Sequence, residues 1–382
     1  VTPSSRSLVH LAVALDGAGW HPAAWREPTA RPRDLLGAAY WTDLVREAEA
    51  GLLDLVTIED SLAIQADAEE DEPRTDRVQG RLDAVLIAAR VAPLTQHIGL
   101  VPTVVATHTE PFHTSKAVAT LDYVSHGRAG VRVRVSTDPA EAALIGRRQA
   151  PSTGEALAEA DDYVEVTRRL WDSWEDDAEI RDAATGRFVD VDKLHYVDFE
   201  GEWFSVRGPS ITPRPPQGQP VVAALAHGPA AQRLVATSAD LGFVTPRSTA
   251  DVLRALEAVR DGVAGRRVRL LGDVLVVLEE SETRARERLH RLDLAAGGQL
   301  TSDAHVFAGT AADLADLVEQ WHDAGLDGVR LRPAVLPHDL EEITRSLVPE
   351  LQRRGRFRTA YPEGASLGEL LGLRRPRNRY AA

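Results

Sequence analysis

Short β-branched apolar runs alternate along this chain with longer segments whose apolar residues recur every three to four positions, and the alternation repeats about eight times. VHLAVALD (9–16) precedes the helical pattern YWTDLVREAEAG, and LDLVTIED (53–60) precedes RLDAVLIAARVAPLT. IGLVPTVV (98–105) precedes EPFHTSKAVATLDYVSHG, and AGVRVRVS (129–136) precedes EALAEADDYVEVTRRLWDSWE. A stretch rich in Asp, Gly and Pro, from about 176 to 216, interrupts the rhythm. PVVAALAH, GFVTP, VLVVL and VRLRPAV then supply four more strands, with helices around 229–239, 248–262, 280–295 and 311–324. Eight strand-then-helix units predict an α/β fold, a (β/α)8 TIM barrel forming a single domain over 1–382. Residues 176–216 are then an insertion after the fourth helix, and 348–382 a C-terminal extension. An open doubly wound sheet would more often carry a Gly-rich turn after its first strand; DGAGWHP matches that fingerprint only in part, and no helix start follows it.

Barrel geometry directs attention to the C-terminal ends of the strands: Asp16 to His21, Asp60, Thr103 to His108, Ser136, His227 and Thr245. His21, His108 and His227 are candidate acids or bases, although no Ser–His–Asp or HExxH spacing frames them. Asp60 is either a ligand or catalytic contact or a loop cap. In VRVRVS the alternation puts Arg132 and Arg134 on one face, and VRLRP repeats the pattern with Arg330 and Arg332. Either face of a closed barrel strand is a costly place for a cation. These arginines must therefore be paired, and Asp16, Glu59, Asp60 and Asp273 stand at suitable positions. A salt-bridge network and an anion-binding floor both satisfy that requirement. In AHGPAAQR (226–233) a strand end meets a helix start, so the first-turn N–H groups are placed to hold a phosphate.

Composition closes off other classes. With 382 residues, 43% of them hydrophobic, the chain builds a large globular core. A net charge of −14 disfavours nucleic acid and anionic membranes, and the basic runs RRGRFR and RRPRNR read as solvated surface or interface. No run of 18 apolar residues exists, and LVHLAVAL reads as a first strand rather than a signal-peptide core. The absence of cysteine excludes disulfides, thiolate metal sites and cysteine nucleophiles, and makes a cytoplasmic location the default expectation. The acidic run AEEDE (68–72) is the one loose metal-like cluster, and it reads as a solvated loop, so no metal is expected.

Several segments resemble one family: GWHPAAWREP (19–28), YWTDLVREAEAGLLDLVTIEDSLA (40–63), IGLVPTVVATHTEPFHTSKAVATLDYVSHGRAGV (98–131), LWDSWEDDA (170–178), DKLHYVDFEGEWFSVRGPSITPRPPQGQPVV (192–222) and VPELQRRGRFRTAYPEGASLGELLGL (348–373). The family is the flavin-dependent monooxygenases of the bacterial-luciferase-like superfamily, in the branch that includes nitrilotriacetate monooxygenase, pristinamycin synthase and dibenzothiophene sulfone monooxygenase. The resemblance implies the same barrel, an insertion near the site and a homo-oligomer. It also implies that reduced FMN from an NAD(P)H:flavin reductase reacts with O2 to a flavin hydroperoxide, which passes one oxygen to a small organic substrate. On this resemblance Asp60 lies near the flavin ring, Thr103 is the family's third-strand threonine and His21 the histidine of its first loop. The catalytic candidates are His21, Asp60 and His108; the cofactor-binding candidates are Asp60, Thr103, Arg132, Ser136, His227, Gly228 and Ala230.

Departures cluster at flavin-contacting positions. The family's phosphate-binding Gln-Ala-Gly-x-Ser is Ala224-Leu225-Ala226-His227-Gly228, its strand-four Trp-Asn is Val131-Arg132, and its third-strand Ser-Thr is Val105-Ala106. The His and Arg-Tyr that open its long fourth helix are Thr153 and Ala156-Leu157. Three readings remain open. The phosphate is held by the N–H groups of Gly228, Ala230 and Ala231 with help from Arg233 or a strand-four arginine; or the barrel is a non-catalytic partner subunit or small-anion binder; or a deazaflavin replaces FMN.

Overall fold

A computed structural model describes residues 7–64, 75–260, 263 and 266–381; the acidic run at 68–72 lies outside the described residues. Eight parallel strands form the expected closed barrel: β1 (His10–Leu15), β2 (Leu55–Ile58), β3 (Gly99–Val105), β4 (Gly130–Arg134), β5 (Val221–Leu225), β6 (Leu241–Val244), β7 (Arg269–Leu278) and β8 (Gly328–Pro333). Each strand pairs with its neighbours in chain order, and β8 returns to β1 through the register His10↔Gly328. A further strand, His305–Gly309, lies outside the ring. β6 pairs with β7 only as far as Gly272, and above that point the extra strand takes the vacated edge, from Val274 to Leu278. Its residues are mostly half-buried and do not alternate, so the apolar pattern does not announce it.

Around the ring run α1 (Ala38–Ala50), α2 (Ala84–Val91), α3 (Pro111–Val124), α4 (Pro139–Ile145), α5 (Thr153–Asp172), α6 (Pro229–Ser238), α7 (Thr249–Arg260), α8 (Glu282–Ala296) and α9 (Ala311–Asp323). Capping explains several starts. Ser152 with Glu155 and Thr310 with Asp313 form capping boxes on α5 and α9, and the Asp83 carboxylate accepts from the Leu86 N–H at α2. α5 buries Ala156, Ala160, Tyr163, Val164, Thr167 and Trp171, a helical spacing that turns one stripe to the sheet. No described helix is long and apolar enough to cross a membrane.

The interior of the ring is layered. At its N-terminal end Leu55, Val101, Val221, Leu241 and Leu271 form an apolar floor, sealed from below by Leu367 and Leu371 of the C-terminal extension. The Leu367 N–H donates to the Gly127 carbonyl at 2.9 Å. A Cβ at Gly99 would come within 2.4 Å of the Leu367 side chain, so the plug requires glycine there. Each sealed leucine contributes about 1.5–3 kcal/mol by burial.

The 176–216 segment packs on the flank of the barrel. Its two small hairpins and connecting loops pack outside α3 and α5, where Val197 and Phe204 cover Phe112, Val166 and Leu170. Arg214 ties it to Asp172 and Asp176 at 3.0 and 2.9 Å, and His195 stacks on Tyr380 of the extension. Apolar cover for the α5 flank fixes this position, and none of its residues lines the cavities at the strand ends.

Candidate functional site

Above the apolar floor the barrel fills with charge. Arg132, Arg330 and Arg332 all point into the interior and are at most 3% exposed, with Glu59 and Asp273 between them. Arg132 pairs with Glu59 and donates from Nε to Thr103 Oγ1 at 2.9 Å. Arg330 grips Asp273 through Nε and Nη2 at 2.7 and 2.5 Å, reaches Glu59 at 3.4 Å, and lies 3.9 Å over the Phe243 ring. Arg332 shares Asp273, stacks on Trp20, and extends to Asp303 at 2.6 Å. Burial pushes the Asp273 carboxyl up, but Arg330 and Arg332 pull it further down, to about 2. Glu59 is likewise lowered, burial being outweighed by Arg132 and then Arg330. The alternating arginines are thus compensated in a salt-bridge network, which the sequence requires of buried cations.

The sequence-derived site residues fall into three groups around the mouth. On the β2–β4 side, both Asp60 carboxylate oxygens are engaged, by the N–H of Ser61 at 2.7 Å and of Ala84 at 2.9 Å. Asp60 therefore holds the entry to α2, and burial raises its pKa despite those donors. Arg134 leaves the interior at the rim, donating to the Asp60 carbonyl and standing 3.6 Å from Glu141. Ser136 is buried, its N–H on Thr107 Oγ1 and its hydroxyl accepting from Asp138. His108 keeps a buried Nε2 with no partner, and burial followed by the Arg148 charge lowers its pKa.

On the β1 side, His21 is pinned at both nitrogens: Nε2 lies 3.2 Å from Asp293 of α8, and Nδ1 accepts from the Ala23 N–H. Burial lowers its pKa against the pull of Asp293. Beside it a cavity of about 210 Å³ is lined by Asp16, Trp20 and Arg81. Burial lifts Asp16 to about 6 although Arg81 stands 3.0 Å away.

The third group, at the end of β5, is the open one. Gly228 has φ +81 and ψ 168, a backbone conformation essentially confined to glycine, and Pro229 follows as the first helical residue of α6. The N–H groups of Gly228, Ala230 and Ala231 bond to nothing among the described residues. Of these, Gly228 borders a cavity of about 580 Å³ with Ala226, Gln232, Val244, Thr245, Asp251, Arg254 and Glu257. His227 also faces it, its Nε2 3.4 Å from Asp303, and burial holds its pKa down against the pull of Asp303. Arg233 is exposed on the next turn.

Sequence reasoning missed Asp303, Asp293 and Arg81. Asp303 joins the rim to the interior, so an unbroken chain of ion pairs and hydrogen bonds runs from His227 through Asp303, Arg332, Asp273, Arg330, Glu59 and Arg132 to Thr103. The signal that could have found it is the polar TSDAH leading into the unassigned apolar residues 306–308.

Fold and rim define a (β/α)8 barrel with its polar groups gathered at the strand ends and a helix N-terminus open to an anion. The model of the luciferase-like monooxygenases matches residues 19–332, and the chain belongs to that family, a family of enzymes. It is 31% identical to nitrilotriacetate monooxygenase component A of Aminobacter aminovorans, over 95% of this chain and 96% of that protein. It is 32% identical to dibenzothiophene-sulfone monooxygenase of Rhodococcus erythropolis, over 92% and 93%. Among solved structures, a riboflavin lyase with modified FMN and riboflavin superposes with a TM-score of 0.87 at 22% identity, over 98% of both chains, which bears on the fold alone. The first alignment spans 436 positions, more than the 382 residues of this chain, so the relative carries segments that this chain lacks.

Proposed function

We propose that the chain is a monooxygenase that uses reduced FMN, delivered by a separate NAD(P)H:flavin reductase, to insert one oxygen atom of O2 into a small organic substrate. The observation that carries this reading is the set of three N–H groups at Gly228, Ala230 and Ala231, unbonded among the described residues, with Gly228 bordering a cavity of about 580 Å³ at the C-terminal end of β5. Family membership supports the reaction class, and the relative named component A supports a reductase supplied as a separate protein.

The donor set suits a phosphate. Three amides at the positive end of α6 satisfy an anion without a hydroxyl, and His227 stands ready to join them as a fourth donor once protonated. Reduced flavin, when bound, supplies the electrons that activate oxygen. The interior ion pairs and the leucine plug keep bulk water from entering through the opposite end. Among the proposed acid–base residues His108 alone keeps a ring nitrogen, its buried Nε2, without a partner among the described residues, and burial lowers its pKa; Asp60 and His21 are engaged at both polar atoms. Thr103 and Arg132 act one step removed, as a fixed floor.

A second reading, a barrel without flavin, draws support from the occupied Thr103 hydroxyl and Asp60 carboxylate. Anaerobic titration calorimetry with reduced FMN separates the two, with oxidised FMN and a deazaflavin as comparators. Saturable binding of reduced FMN on the order of micromolar, worth about 8 kcal/mol, is the expected result. Heat from the deazaflavin alone moves the cofactor assignment, and no binding of any of the three leaves the flavin-free barrel standing.

A further inference from the structure

The chain carries two basic runs that the mouth does not use, and the fold treats them differently. In RRGRFR (353–358) every arginine is matched: Arg353 and Arg354 by Glu350, Arg356 by Glu319 and Asp323, and Arg358 by Asp54. In RRPRNR (374–379), Arg375 and Arg379 are matched by Asp176 and Glu165. The exposed side chains of Arg374 and Arg377 make no hydrogen bond or ion pair among the described residues.

Both free arginines line a cleft of about 1030 Å³ at the N-terminal end of the barrel, beside the Leu367–Leu371 plug and on the opposite face from the candidate flavin pocket. Seven arginines and four carboxylates border this cleft, so it is locally positive in a chain whose net charge is −14. Arg168 and Arg266 spend their charge on Asp240. Arg267 has a single side-chain bond among the described residues, at 3.4 Å to the Gly372 carbonyl. Among the described residues, the three guanidiniums of Arg267, Arg374 and Arg377 are thereby left without a countercharge.

We infer that this cleft binds a diphosphate, either free or carried by a nucleotide. Guanidinium groups match phosphate oxygens in two-point geometry, and several of them together select a multiply charged anion over a single carboxylate. The volume suits a small ligand, for which pockets of about 300–1,000 Å³ are usual. A nucleic acid or an anionic membrane would have to approach the acidic remainder of the surface as well, so a compact anion fits the charge distribution better.

The test is calorimetric titration of the full chain with pyrophosphate and, separately, with ADP, at low and at high salt. The wild-type chain is compared with the double variant Arg374→Ala/Arg377→Ala. Neither side chain has a partner among the described residues, so the variant should fold normally, with a thermal melt as control. Saturable binding at low salt is expected, weakened at least about ten-fold in the double variant and also by salt. Equal affinities for the two probes identify the diphosphate itself as the ligand; tighter ADP binding adds the nucleoside. No saturable heat from either probe, or an affinity that the double variant leaves within about two-fold, overturns the assignment.

Discussion

Inside the barrel, cations and anions interlock from Arg132 to Asp303, while at the start of α6 three amides have no acceptor among the described residues. The two regions adjoin at His227, the end of the bonded chain, yet they handle polarity in opposite ways. A buried guanidinium left alone costs several kcal/mol, so β4 and β8 can carry arginines only because Glu59 and Asp273 neutralise them. An amide at a helix start is stabilised by an arriving anion and otherwise by water, and so can stay open. Closure marks the part that holds the molecule together, and openness the part available to a ligand.

The sharpest way to break that contrast is at Asp273. Asp273→Asn removes the charge that Arg330 and Arg332 share, and the expected loss is about 3–5 kcal/mol of stability, read from the denaturant midpoint. A loss below about 1 kcal/mol would show that the interior tolerates unpaired arginine and that the contrast is not one of stability. The same carboxylate sets an acid limit. Its folded pKa, about 2, lies below the unfolded 3.8, so its contribution is complete above about pH 4 and disappears as pH falls through about 2. The Asn variant should lack that part of the acid transition.

Gly228 tests the open end with a smaller effect. At φ +81 and ψ 168 any Cβ strains the backbone, although the space around it is empty to 4 Å. Gly228→Ser and Gly228→Ala should each cost about 1–3 kcal/mol, seen as a lower melting temperature, and both should weaken reduced FMN. Equal melting temperatures for the Ser variant and the parent chain would mean that the loop relaxes to another conformation. If that variant also bound FMN more tightly, the serine of the resembled motif would be recoverable, and the present backbone would not be what excludes it.

These two sites also show what the sequence discloses. The apolar runs locate all eight barrel strands within a few residues, because burial on both faces leaves little choice of residue. The alternation in VRVRVS and VRLRP correctly demands acidic partners, and Glu59 and Asp273 provide them; Asp16 instead pairs with Arg81, and Asp60 with backbone amides. Less legible is anything set by three-dimensional closure. Asp303 reaches the mouth only because the extra strand occupies the edge of β7 above the β6 pairing, and the insertion is steered to the flank of α5 by Val197 and Phe204. The backbone angles of Gly228 have no one-dimensional signature beyond glycine itself.

His227 belongs to both regions and gives the finest discrimination. It reaches the interior through Asp303 at 3.4 Å and borders the open amides. Although its ring is one-third exposed, partial desolvation lowers its pKa, so near pH 7 it offers an approaching phosphate one ring N–H at most; a bound dianion should raise its pKa and draw a proton onto the ring. Binding of reduced FMN should therefore strengthen as pH falls from about 8 to 6, by up to about ten-fold, with proton uptake measurable by titration in two buffers of different ionisation heat. The phosphate takes up protons itself near pH 6, which opposes the trend, so the decisive quantity is the difference from His227→Gln. If the two proteins show the same pH dependence, His227 serves the ion-pair chain alone, and the anion site is made of backbone only.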